Sequence, residues 1–173
     1  VYRRVTMFRR FLGEKRMMKR FEKEIISRAK LHKPDIIHAH TPFRVGLPAL
    51  RASRKLGIPF IYEVRGMWED SAVAQGRWTP KSIPYRYYRS QENKVIKHAD
   101  DVIVIGENLM KEIVSRNLRS SLPTMIPNAV GRKMATYPLE FEHPPPESVT
   151  KLTERLNLDD STIVVGYIGS LRA

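Results

Sequence analysis

Along the chain, short apolar runs that stop abruptly in polar residues alternate with longer segments whose apolar positions recur every three or four residues. The short runs are residues 35–40, 59–64, 101–105, 123–127 and 162–168, and each reads as a strand. Residues 11–32 are the first long segment. Met18, Phe21, Ile25 and Ala29 form its apolar stripe, and Lys15, Arg16, Lys19, Lys23 and Lys30 fall mostly outside it. A second helix is predicted with Pro48 in its first turn and a stripe of Ala49, Ala52, Ser53 and Leu56. Gly57 then serves as a left-handed cap, and Pro59 prevents continuation. Residues 83–99 form a third helix with Tyr85, Tyr88, Glu92, Val95, Ile96 and Ala99 on one face, so a buried Glu92 would need a partner. Leu109, Met110, Ile113 and Val114 mark a fourth, and residues 149–156 a short last one. The segment after Gly66, with Trp68, Glu69, Asp70, Gly76 and Trp78, has no sustained period and reads as a long loop at the mouth of a sheet.

Strand and helix in alternation predict an α/β fold: an open, parallel, Rossmann-like sheet with flanking helices and right-handed crossovers. Residues 1–130 are expected to form a partial first domain. Residues 131–161, with Pro138 and Pro144-Pro145-Pro146, are expected to be an interdomain linker, and residues 162–173 the first strand of a second domain. A strand that isolated needs the rest of a second domain or a berth on the first sheet, so the chain reads as cut from something longer. The exposed edge of an incomplete sheet would invite a homodimer.

Composition narrows the classes. A chain of 173 residues that is 42% hydrophobic can bury a core. With no cysteine, disulfide frameworks and thiolate metal sites are excluded. No apolar run approaches the roughly 20 residues needed to span a bilayer. The formal charge of +13 is uneven, because residues 1–33 hold twelve Lys/Arg against Glu14, Glu22 and Glu24, a net of +9. A basic segment of this kind suits an anionic surface, which is read here as a membrane leaflet met from the cytoplasmic side. A basic nucleic-acid-binding module is the alternative. It lacks interleaved aromatics for base stacking beyond Phe8, Phe11 and Phe21, and Phe21 belongs to the apolar stripe, so no nucleic acid is expected.

In an open parallel sheet, ligands sit beyond the carboxyl ends of the strands, which brings His40, Thr41, Arg65, Gly66 and Glu107 into consideration. His38 and His40 share a strand face; His38 reads as a satisfied histidine, either in the core or supporting residues of the site from behind, and His40 as facing the cleft. Zinc would need a third ligand, and no metal is expected. There is no Gly-x-Ser-x-Gly elbow and no Gly-rich loop followed by Lys-Ser/Thr. Arg65 closes a buried strand, where a guanidinium needs a carboxylate or phosphate; Glu63, Glu69 and Asp70 are the candidates within the chain. Glu107 follows Gly106 at the start of a helix and is favourable there as a first-turn acid. Gly169-Ser170 after an apolar strand could let the backbone approach a diphosphate. A nucleotide-sugar epimerase or dehydrogenase would need a dinucleotide loop that the sequence does not contain.

Taken in order and spacing, six stretches resemble the family-4 glycosyltransferases, of the type associated with bacterial exopolysaccharide and exosortase gene clusters. They are His38-Ala39-His40-Thr41-Pro42; Leu47-Pro48-Ala49-Leu50; residues 60–70, from Phe60 to Asp70; Ala99-Asp100-Asp101-Val102-Ile103; Ile126-Pro127-Asn128-Ala129-Val130; and Gly166-Tyr167-Ile168-Gly169-Ser170-Leu171. The resemblance spans residues 34–171. It implies the GT-B architecture of two facing Rossmann-like domains and transfer of a sugar from a nucleotide-sugar donor to a glycan or lipid-linked acceptor. Anomeric configuration would be retained, with no metal or other cofactor. It also implies Arg65 and His40 as catalytic residues, Thr41, Gly66, Glu69 and Glu107 on the acceptor side, and Asn128, Gly169 and Ser170 toward the donor. Many relatives carry a histidine where Arg65 stands. The family's Gly-rich first loop would precede residue 1, and its diphosphate-neutralising basic pair and spaced glutamates would follow residue 173. By this resemblance the stretch alone is expected to be inactive.

Overall fold

The computed structural model describes residues 13–130, 147–157 and 159, and the chain divides into two compact units, residues 1–128 and 129–173. In the first unit, α1 (Glu14–His32) leads into β1 (Ile37–His40), α2 (Phe43–Leu56), β2 (Phe60–Val64), α3 (Trp68–Ala74), α4 (Ile83–His98), β3 (Asp101–Val104), α5 (Glu107–Ser115) and β4 (Thr124–Met125). The strands pair in parallel in the order β1-β2-β3-β4, so the expected open α/β sheet is the one observed. Of the second unit, α6 (Glu147–Arg155) is described. The expected strand at 162–168, with Gly169 and Ser170, lies outside the described residues, as does most of the expected linker.

The period-2 pattern of the strands decides what is inside. Ile37 and Ala39, then Phe60, Tyr62 and Val64, then Val102 and Val104 all point into the core, where Phe43, Val95, Ile96 and Ile113 meet them. The intervening positions, from His38 and His40 to Ile61, Glu63 and Ile103, are exposed or half-buried. The expectation of a buried first strand is therefore corrected, and of the two places open to His38 the core is not the one it takes. Among the described residues β1 is an outer strand of the sheet, and its alternate side chains face outward.

Two further expectations are revised by tertiary contacts. Helix α2 begins at Phe43, so Pro48 lies inside it rather than in its first turn. What starts the helix early is remote in sequence: the Phe43 N–H donates to the Glu92 carboxylate of α4 at 2.8 Å, while the Phe43 ring is completely buried. The segment after Gly66 is not all loop, because α3 occupies Trp68–Ala74. Seven residues are too few to show a period, but Glu69 and Ala72 fall one turn apart on its buried face.

Gly46 sets how closely α2 approaches the core. A Cβ there would lie 2.6 Å from Tyr62 Cε2 and 2.8 Å from Val95 Cγ1, so no larger residue fits without displacing both neighbours. Helix α1 is held to α2 by charge as well as by packing. Glu22 is buried and accepts from Arg51 Nε at 2.7 Å and Lys55 Nζ at 2.6 Å, and Glu14 accepts from Arg44 Nε at 2.7 Å and from the Tyr87 hydroxyl at 2.8 Å.

Candidate functional site

The carboxyl ends of β1 and β2 carry a connected set of polar groups. The ladder runs one step past β1, with the Thr41 N–H donating to the Glu63 carbonyl at 3.0 Å. Thr41 Oγ1 in turn accepts from the Arg65 N–H at 3.1 Å, so the chain crosses between the two strand tips in a fixed relation. The Arg65 guanidinium is half-exposed at 48%. Its Nε stands 3.6 Å from Glu63 Oε1, and its Nη2 donates to Asn128 Oδ1 at 3.3 Å. The opposite oxygen of Glu63 lies 3.1 Å from His38 Nε2, and the His38 and His40 rings meet edge-to-face with centroids 6.0 Å apart.

This geometry follows from the pleat. Residues 38 and 40 share the outward face of β1; Glu63 and Arg65, two apart, share the same side of β2, and His40 pairs with Glu63 in register. Glu63 is therefore the hub of the site. Sequence reasoning treated it only as a partner for Arg65, although its period-2 relation to Arg65 was the signal that could have raised it. Of the three acids open to Arg65, Glu63 is the one it meets, loosely. A half-exposed pair at that distance contributes little to stability, about 0–1 kcal/mol, which leaves the guanidinium free to turn to an incoming anion.

The other sequence candidates separate. Glu69 is only 1% exposed and receives Arg116 Nη2 at 3.0 Å, so it faces the interior rather than the strand tips. Asp70 accepts from the Tyr85 hydroxyl at 2.9 Å. Gly66 follows Arg65 directly, and a Cβ there would meet nothing within 4 Å. Glu107 is exposed at the start of α5 and forms no hydrogen bond or ion pair with Arg65, Glu63 or His40. The sheet therefore links Thr41, Arg65 and Asn128 by hydrogen bonds and sets His40 beside them, whereas Glu107 shares only the same end of the sheet. Among the described residues, no three His, Cys, Asp or Glu converge as a metal-binding group.

Beneath the site lies a group that sequence reasoning flagged and could not place. Glu92 is 3% exposed, accepts from the Tyr62 hydroxyl and the Phe43 N–H, and is pushed from the ordinary value of 4.5 up to about 7. Burial is the cause, opposed by those two hydrogen bonds. The Tyr62 hydroxyl is pushed up as well, first by burial and then by the Glu92 charge, and stays a donor. Since Phe43 is two residues from Thr41, Glu92 holds the end of α2 that carries the site's loop.

As a chemical arrangement, a cationic guanidinium at a strand tip, flanked by a hydroxyl, a carboxamide and two imidazoles, can steady a developing negative charge and orient a hydroxyl nucleophile. A family model, Glycosyltransferase Family 4, matches residues 1–132. No match to a curated protein was found. The matched span takes in every strand of the sheet and all the linked tips, and on that ground the chain belongs to glycosyltransferase family 4.

Proposed function

We propose that this family-4 glycosyltransferase takes its sugar from a nucleotide-sugar donor and passes it, with retention of configuration, to a glycan or lipid-linked acceptor in polysaccharide synthesis. The observation that carries the reading is the Thr41–Arg65–Asn128 linkage at the carboxyl ends of β1 and β2 inside the family-matched span. In this reading Arg65 faces the reacting sugar, where its positive charge offsets charge building up on the leaving diphosphate. His40, Thr41, Gly66 and Glu107 line the acceptor side, and Asn128, with Gly169 and Ser170, serves the donor. Glu69 acts from within, by anchoring α3 just beyond Gly66. No resident metal is invoked. The lysines and arginines of residues 1–33 bring the enzyme to an anionic membrane on its cytoplasmic face, where a lipid-linked acceptor would be found.

The test is to express the reading frame that encodes these residues and to follow transfer from labelled nucleotide sugars to membrane-extracted acceptors. NMR assignment of the product's anomeric configuration reports the stereochemistry. Arg65→Ala should lower kcat on the order of 100-fold, as removal of one charge-stabilising donor does, while Arg65→Lys keeps part of it. Full activity in Arg65→Ala would remove Arg65 from the chemistry. An inverted product would overturn the retaining reading.

A further inference from the structure

The search for a second site leads to the outer face of α4. Residues 86, 89, 90, 93, 94 and 97 recur at helical spacing along this face, and with Leu118 they line a groove of about 380 Å³. That volume falls within the range of small-ligand pockets, roughly 300–1,000 Å³. The groove carries Arg86, Arg89, Lys94 and Lys97, and no acid lies among its lining residues. Arg89 is the one already engaged, with Glu112 at 3.1 Å and the Tyr85 hydroxyl at 3.2 Å. Arg86, Lys94 and Lys97 are exposed and make no ion pair among the described residues. By contrast, Arg44, Arg51, Arg54, Lys55 and Arg116 each meet a carboxylate.

Like charges three residues apart on a helix repel, so the pairs Arg86/Arg89 and Lys94/Lys97 work against α4 rather than for it. The last-turn position of Lys97 complements the helix dipole, but Arg86 lies in the first turns, where that explanation has the opposite sign. What such a set does well is gather anionic oxygens. The Arg86 guanidinium, the Lys94 and Lys97 ammonium groups and the Ser90 hydroxyl are donors along one face, and Leu118 gives one apolar wall. The groove is shallow and open, so a ligand there is held by charge rather than by enclosure. The groove is also separate from the strand tips, because α4 runs back from the carboxyl end of β2 to the start of β3 and carries Lys94 and Lys97 toward the opposite end of the sheet.

We propose that this groove binds a small ligand carrying two or more phosphate charges. The experiment titrates inorganic pyrophosphate into the full chain, at constant ionic strength, by isothermal calorimetry. Binding should be saturable, and Arg86→Gln/Lys94→Gln/Lys97→Gln should weaken it by about tenfold or more. A charge-matched control, Arg77→Gln/Lys81→Gln/Lys111→Gln, removes three exposed cations outside the groove and should leave affinity within about twofold. The replaced side chains are at the surface, so neither variant should unfold earlier than the parent, and the groove variant gains whatever the repulsion along α4 had cost. If the groove variant unfolds early, the single Lys94→Glu replaces it. Equal losses in both variants would reduce the effect to net charge and overturn the proposal. So would binding to phosphatidylglycerol vesicles with none to pyrophosphate.

Discussion

At Glu92 the chain hides a carboxyl group whose titration runs opposite to that of three others. Glu22, Asp100 and Glu112 are held below their ordinary values. Hydrogen bonds from Arg54 lead at Asp100, while at Glu22 and Glu112 bonds from Lys and Arg partners outweigh the cost of burial. Each of these favours folding above its unfolded pKa and loses that contribution as pH falls. Glu92 is raised from 4.5 to about 7, so the folded state binds its proton more tightly than the unfolded chain does. Its contribution is full below the unfolded value and is lost as pH rises toward 7, with a span of about 3 kcal/mol. Urea unfolding of Glu92→Gln should show a flatter pH dependence than the parent between about pH 5 and about pH 8, with the variant relatively more stable at the upper end. Identical slopes would mean that Glu92 is not protonated in the folded state. The stripe on residues 83–99 already required a partner for Glu92. Which partner could not be read, because Tyr62 and Phe43 are 30 and 49 positions away.

Between elements, Arg116 ties three helices together, its side chain 1% exposed just past α5. It reaches α3 through Glu69 at 3.0 Å, α4 through Asn93 at 2.7 Å, and its own helix through Glu112 at 2.9 Å. Removing one member of a buried pair strands the other, so Arg116→Met should cost about 3–5 kcal/mol, and adding Glu69→Met should recover a large part of it. A double-mutant cycle by chemical unfolding gives the coupling, and additive losses would show that the two residues do not depend on each other. Helices and strands were legible wherever the apolar period ran long enough, as in α4 and in β2. They were not legible where a contact from afar decided the outcome. Helix α3 needs Glu69 to be drawn inward, and α2 starts where Glu92 accepts the Phe43 N–H. The place of His38 stayed open for a related reason: a run of apolar and histidine residues looks the same in a covered strand as in an outer one.

For the molecule as a whole, alternation alone was enough to specify a parallel open sheet, and with it the end at which Thr41, Arg65 and Gly66 would gather. The separation of Glu69 from that group was beyond sequence, since its burial depends on an arginine 47 residues later. The uneven charge makes a prediction of its own. No helix among the described residues is long and apolar enough to cross a membrane, and α1 presents a basic outer face. In flotation assays the chain should rise with vesicles containing anionic lipid and be released by added salt, each basic group near the surface contributing about 1 kcal/mol. Equal recovery on neutral vesicles would remove the membrane role.

The empty place at Gly46 ties these scales together. Because α2 rests against Tyr62 and Val95 with no side chain between, even one methyl acts as a shim driven under the helix whose leading end follows Thr41. Gly46→Ala should therefore cost about 1–3 kcal/mol in thermal or chemical unfolding despite alanine's better helix propensity. It should also lift the neighbourhood of Thr41 out of true with Arg65. The alignment of the two strand tips is gauged, in the end, by an atom that is not there.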